Sequence, residues 1–152
     1  MRACQMQPSI RQATFDDIQR LWEVRRESIL KLASKGMTVT QAFTWATKMT
    51  VEGMEARFRE TEIWIAELEG VLVGWVAVRG DYIDGLYIDP CSAEQGIGSK
   101  LLSVAETLMR DRGLQAARLD SSVNAERFYR HRGYLPSGDP PRDNAMPLKK
   151  RL

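Results

Sequence analysis

Histidine and cysteine are nearly absent from this chain: its 152 residues include one His and two Cys. His131 stands alone between Arg130 and Arg132, and Cys4 and Cys91 lie far apart, so no zinc-type ligand set can be assembled and no metal site is expected. Two distant cysteines make no disulfide framework, which predicts free thiols and a reducing compartment. An excess of charge of one sign is also missing. Lys and Arg number 22 against 20 Asp and Glu, a net charge of +2, too mild to predict nucleic-acid binding. Lys149-Lys150-Arg151 reads as a solvated tail. No apolar run reaches membrane-spanning length and no signal-peptide core opens the chain, so the expectation is a cytoplasmic protein with no membrane or nucleic-acid partner. Repeats, low-complexity tracts and linkers are lacking as well. A chain of 152 residues, 43% hydrophobic and 28% charged, predicts one domain over residues 1–152.

What is present alternates between two periods. Residues 1–7 read as a loose start and residues 9–13 as a first strand. Thr14-Phe15-Asp16-Asp17 matches a capping box, a Thr with an acid three residues on. It opens a helix carrying Ile18, Leu21, Trp22, Ile29 and Leu32 and ending near Gly36. A second helix starts near Thr38 or Thr40, with Phe43, Ala46, Thr47, Met54 and Phe58 on one face and Gly53 as its breaking point. Residues 63–68 and 71–78 form two strands around the hairpin turn Glu69-Gly70, and residues 82–88 form a third. Beyond them come a helix from Gly96 to Gly113, a short strand at 117–120, a short helix at 124–132 and a final strand at 146–152. The sum is a mixed α/β sheet with helices on both faces.

The stretch from Leu86 to Leu102 organises the rest. Its apolar run ends at Asp89-Pro90, a polar turn follows, and Gly96 and Gly98 open a helix with Ile97, Leu101, Ala105 and Leu108 on its buried stripe. The first N–H groups of a helix lack acceptors and carry partial positive charge, and glycines let a phosphate come close to them. For the glycine pair alone, a tight turn and a phosphate cradle are equal readings. The junction is not a P-loop, since no Gly-Lys-Ser/Thr closes it, and it lacks the third glycine of a dinucleotide fingerprint.

A second constellation follows: Ala125-x-x-Phe128-Tyr129-x-x-x-Gly133-Tyr134. With Gln95-Gly96-Ile97-Gly98-Ser99 before it, in this order and spacing, the chain resembles the GNAT superfamily of acyl-CoA-dependent N-acyltransferases over nearly its whole length. Two positions depart from the family pattern: Ala93 stands where the family has Gln or Arg, and Ser122 where it often has Asn. The resemblance implies a mixed, mostly antiparallel central sheet with helices on both faces. Its implied element order is strand, two helices, three strands, helix, strand, helix, two strands. It implies acetyl-CoA as cosubstrate, lying between two splayed strands. The pantetheine would pair with Leu86, Tyr87 and Ile88, and the pyrophosphate would sit on the amides of Gln95, Gly96, Ile97, Gly98 and Ser99. Asn124 and Phe128 would line the other side.

Acyl transfer to an amine needs a neutral nitrogen, donors for the tetrahedral oxyanion and a proton for the departing thiolate. The resemblance puts Tyr129 where the family places its tyrosine acid, and a phenol stays protonated at neutral pH. Core packing is the rival reading of Tyr129, with Phe128 the better core candidate. Asp81, Tyr82 and Asp84 are candidates for the base. Strand alternation puts Tyr82, Asp84 and Leu86 on one face, and Asp84 is the nearest carboxylate there, with a strand-end turn contact as its rival reading. His131 reads as a surface side chain, Cys91 as structural, and Trp22, Trp45, Trp64 and Trp75 as core or pocket wall. The expected activity is acetyl transfer from acetyl-CoA to the primary amine of a small molecule. A protein amine as acceptor and an acetyl-CoA-binding regulatory module without turnover are the alternatives. A homodimer is implied by family habit alone.

Overall fold

A computed structural model describes residues 7–143 and 145–152; Cys4 and nearly all of the expected loose start lie outside the described residues. The strands are β1 (Ser9–Gln12), β2 (Glu62–Leu68), β3 (Val71–Arg79), β4 (Tyr82–Ile88), β5 (Ala116–Ser121), β6 (Leu135–Pro136) and β7 (Met146–Arg151). The α-helices are α1 (Ile18–Lys31), α2 (Val39–Thr47), α3 (Val51–Glu60), α4 (Ile97–Asp111) and α5 (Glu126–Arg130). The strands form a single sheet in the order β1-β2-β3-β4-β5-β7-β6. Every neighbouring pair is antiparallel except β4 and β5.

Local chemistry sets the element ends. Thr14 and Asp17 form the expected capping box, although it opens a 3-10 turn at Phe15–Asp17 that runs on into α1. Glu69 and Gly70 have φ of 51° and 77°, the left-handed pair that a tight hairpin between β2 and β3 requires. Two expectations are corrected. The helix after Gly36 is interrupted at Lys48–Thr50, not at Gly53. Thr50 is the cause: its side chain accepts from the Gly53 N–H at 3.0 Å and starts a new helix, with Gly53 in its first turn. Phe43 of α2 faces solvent, 57% exposed, while Ala46 and Met54 are buried. The helix expected at 124–132 is a 3-10 turn, Val123–Ala125, followed by α5.

One face of the sheet packs on α4, which buries Ile97, Leu101, Leu102, Ala105 and Met109 against Val76, Val78, Ile83, Ala117 and Leu119. The other packs on α1 and α3, with Leu21, Val24 and Met54 against Ile63, Ile65, Trp75 and Ala77. A buried polar group crosses the first layer: Glu106 accepts from the Tyr134 hydroxyl at 2.8 Å and from Lys150 at 2.9 Å, and burial beside that carboxylate pushes the phenol's pKa up.

At the edge of the sheet, Arg11 donates to Asp17 at 2.8 and 2.9 Å and also contacts Glu67. The Arg11 bonds, helped by the Thr14 N–H, hold the Asp17 carboxyl below its usual range. A carboxyl lowered in this way stabilises the fold fully above its unfolded pKa of about 3.9, and that stability disappears as pH falls through the folded value. Asp17→Asn should therefore cost about 1 kcal/mol at pH 7, given the partial exposure of Arg11, and should flatten the loss of stability below about pH 4. Urea unfolding of both proteins at pH 7 and pH 3 checks the difference between the two limbs.

Candidate active site

The parallel pairing of β4 with β5 is short. It consists of Tyr82 opposite Arg118 and Ile83 opposite Leu119, and then the strands part. From Asp84 to Ile88, β4 thus has a free backbone edge toward the gap. A β-bulge sits at the fork: Ala77 of β3 is opposite Gly85 and Val78 is opposite Ile83, leaving Asp84 as the extra residue. The bulge corrects the alternation expected for this strand. Leu86 packs with the α4-side core, whereas Asp84 pairs with Arg57 of α3 on the other side, so Leu86 does not share the face of Asp84. Gly85 is required here, because a Cβ would lie 2.8 Å from Tyr87 Cε2 and 3.4 Å from Trp75 Cζ3.

The gap opens into a cleft of about 870 Å³. One wall is Leu86, Tyr87 and Ile88; the other is Ser122–Ala125 with Phe128 and Tyr129. The turn between β4 and α4 closes one end. Asp89 accepts from the Cys91 N–H at 3.0 Å, Ser92 and Ala93 bond back to Asp89 and Pro90, and Gly96 takes φ 80°, which a residue with a Cβ adopts only with strain. In α4 the first bonded amide is that of Lys100, to the Gly96 carbonyl at 3.1 Å. The amides of residues 95–99 have no backbone acceptor among the described residues. They form a positive cradle at a helix start, with Gly96, Ile97, Gly98 and Ser99 on the cleft wall and Gln95 exposed beside it.

Two features here were not foreseen. Arg132 lies over the Phe128 ring at 3.8 Å, donates from Nε to Ser99 Oγ at 3.2 Å and from Nη1 to the Phe128 carbonyl at 2.9 Å, and so brings a fixed cation to the cradle. The run Arg127, Arg130, Arg132 was a sequence signal for it, but which arginine turns inward depends on the fold. The segment joining α1 to α2 also lines the cleft. The Asn124 side-chain amide donates to the Leu32 carbonyl at 3.2 Å, and the position of a Cβ on Gly36 would be 3.0 Å from the Asn124 nitrogen. Lys35 and Trp45 join the lining from this side.

Of the two neighbouring aromatics, Tyr129 and not Phe128 is the more buried, although both line the cleft. Tyr129 is the buried one, 7% exposed, and stacks edge-on with Tyr134, whereas Phe128 is half-buried on the cleft wall beside Gly98. Burial, with Tyr87 nearby, pushes the Tyr129 phenol well above its ordinary pKa, and no hydrogen bond occupies its hydroxyl among the described residues. Asp84 meets Arg57 Nε and Arg79 Nη2, each at 3.4 Å, so its charge is already answered by two guanidinium groups. Tyr82 donates to Asp120 across the last rungs of the fork. His131 and Cys91 are exposed, Trp75 is buried and Trp45 is on the cleft wall. Among the described residues no three His, Cys, Asp or Glu side chains converge as a metal site would need, and no helix is long and apolar enough to cross a membrane.

Among the described residues the sheet is thus splayed at its one parallel junction, with a row of free amides beside the gap. The family model of the acetyltransferase (GNAT) domain matches residues 32–149, and the chain belongs to that family. It is 24% identical over 118 residues to the uncharacterized N-acetyltransferase YafP of Escherichia coli, covering 78% of this chain and 75% of that protein. Among solved structures it is similar to a GCN5-related N-acetyltransferase from Rhodopseudomonas palustris, with TM-score 0.88, 26% identity, and 97% and 98% of the two chains covered. It also shares its fold with the PaiA N-acetyltransferase of Thermoplasma acidophilum, a structure in complex with coenzyme A, with TM-score 0.82, 20% identity, and 97% and 100% coverage.

Proposed function

We propose that the protein transfers the acetyl group of acetyl-CoA directly to the primary amine of a small molecule. The observation that supports the acceptor class is the contact of the α1–α2 segment with Asn124 beside the cleft. The contacts of Leu32 and Gly36 with Asn124 narrow the cleft on the side of the α1–α2 segment, which suits a small acceptor better than a polypeptide. In this reading the pantetheine adds to the free edge of β4 at Leu86–Ile88 as an extra strand would. The pyrophosphate rests on the amides of Gln95 to Ser99, Arg132 neutralises it, and Asn124 and Phe128 cover the opposite side. The amides of the free β4 edge also supply donors to the tetrahedral oxyanion.

Tyr129 gives its proton to the departing thiolate. Its high pKa keeps it protonated throughout the neutral range, and its hydroxyl is uncommitted. Tyr129→Phe keeps the buried ring and removes only the hydroxyl, so turnover should fall at least tenfold while acetyl-CoA affinity stays within about twofold, since one positioned proton donor contributes roughly a hundredfold or more. Steady-state thiol release and calorimetry on the same preparations check the split.

The test of the whole reading pairs calorimetric titration with acetyl-CoA with thiol release in the presence of small amines and of peptides with free N-termini. Binding with turnover of small amines supports it. Turnover of peptides alone would move the acceptor to proteins, binding without turnover would make the domain a regulatory module, and no binding would remove the cofactor assignment.

A further inference from the structure

Asp81, Asp84 and Asp120 lie along the strands at the fork of β4 and β5, and the first two are neutralised. Asp81 is held by Arg118 at 3.0 and 3.2 Å. Asp84 faces Arg57 and Arg79. Asp120 has no cationic partner within ion-pair distance among the described residues; its one side-chain bond is from the neutral hydroxyl of Tyr82. It is the first residue of β5 beyond the last paired rung, as Asp84 is on β4. Ala117 and Leu119 turn toward α4, so strand alternation sends Asp120 to the opposite face, where it is exposed. Arg118 on the same strand is spent on Asp81, and Arg142, near enough to Tyr82 to act on its titration, makes no ion pair with Asp120.

We propose that Asp120, oriented by Tyr82, receives the protonated amine of the acceptor at the fork and takes its proton. The inference rests on the acetyltransferase reading above and names the charge class of its substrate, an alkylammonium. Such an amine, with a pKa of about 10.4, is neutral in only about one molecule in 2,500 at pH 7, so a group that both attracts the cation and drains its proton serves the reaction twice. Tyr82 is suited to orienting the carboxylate because a neutral donor fixes its direction without cancelling its charge. The Asp120 carboxylate accepts one N–H proton and passes it to solvent. The freed lone pair forms the N–C bond with the thioester carbon, and the C–S bond breaks. The thiolate takes the proton of Tyr129, and the proton shed by the nitrogen as the amide forms restores that phenol. One proton leaves per turnover.

The experiment compares native protein with Asp120→Asn, which keeps an acceptor for Tyr82 and removes the charge, and with Asp84→Asn. Thiol release from acetyl-CoA is measured with ethanolamine, tyramine, spermidine and the free amino acids, and with aniline, whose amine is neutral at pH 7. Asp120→Asn should lose at least tenfold in kcat/KM on the alkylamines that the native protein acetylates, lose less than threefold on aniline where that is acetylated, and bind acetyl-CoA as the native protein does. Tyr82→Phe should show a smaller loss of the same kind. Native-level turnover of alkylamines by Asp120→Asn, or an equal loss in Asp84→Asn, overturns the assignment while leaving the acetyltransferase reading intact. Acetyl-CoA binding without acetylation of any amine overturns both, and calorimetry separates that result from a lost cofactor site.

Discussion

Replacing Gly98 by glutamate should reduce acetyl-CoA affinity at least a hundredfold, about 2.7 kcal/mol, and leave the fold intact. Gly98 stands between the two walls of the cleft, where an added Cβ would be 3.5 Å from Phe128 Cζ and 3.8 Å from Ile88 Cγ1. Both are ordinary contacts, so a side chain can start there without moving the backbone. Its position in the first turn of α4 also favours a carboxylate, because the exposed N–H groups there attract negative charge. The same attraction carries the functional effect. The glutamate occupies the cradle, answers the amides and repels the pyrophosphate through Coulomb forces little screened inside a cleft. Gly98→Ala separates volume from charge: it narrows the space between Ile88 and Phe128 without adding an anion, and its loss should stay below tenfold. Calorimetric titration of both variants, with thermal unfolding as the fold control, tests the pair. A Gly98→Glu protein that binds like the native one would mean that the phosphates lie elsewhere, and the cradle would be only the turn into α4.

The cradle was legible because its determinants are local. Gly96 and Gly98, the Asp89-Pro90 stop and the stripe of α4 all fall within one short stretch, and the φ of 80° at Gly96 is what a glycine in that place suggests. The fork was not legible for the opposite reason. Whether Asp84 or Asp120 carries a free charge depends on which cations arrive from α3, β3 and β5, and on a bulge that no residue type announces. Tyr82 and Asp120 are 38 positions apart in the chain, so their bond exists only once β4 and β5 are side by side. The order of burial of Phe128 and Tyr129 is similar. Adjacent residues of a short helix point in different directions, and only the packing of Tyr134 beside Tyr129 decides which ring goes inward. The interruption between α2 and α3 was misplaced because Gly53 is the weaker helix former. The side chain of Thr50, which caps the second piece, outweighed that propensity.

Trp75→Ala should be the most destabilising single change in the α1-side core, at about 3–5 kcal/mol, against a total stability of about 5–15 kcal/mol for a domain of this kind. Trp75 is fully buried, and its ring nitrogen donates to the Leu21 carbonyl of α1 at 3.0 Å. It therefore joins helix and sheet by both packing and a hydrogen bond. Trp75→Phe divides the two contributions: it keeps much of the ring and leaves a smaller void, so about 1–2 kcal/mol is expected. The residue also bears on the cleft. Its ring lies 4.9 Å from that of Tyr87, tilted by 46°, while the Arg25 guanidinium, itself buried, sits 5.7 Å from the same Tyr87 ring. Tyr87 is thus a cleft wall held from behind, and Gly85 leaves the space that lets it lie there. Removing Trp75 frees the Tyr87 ring to turn into the void. Acetyl-CoA affinity should then fall severalfold at temperatures where the variant is still folded, whereas Trp75→Phe should retain it. Urea unfolding followed by calorimetry in the folded range gives both quantities. A large loss of stability with unchanged affinity would mean that the wall keeps its shape without its backing, and that the free edge of β4 alone positions the cofactor.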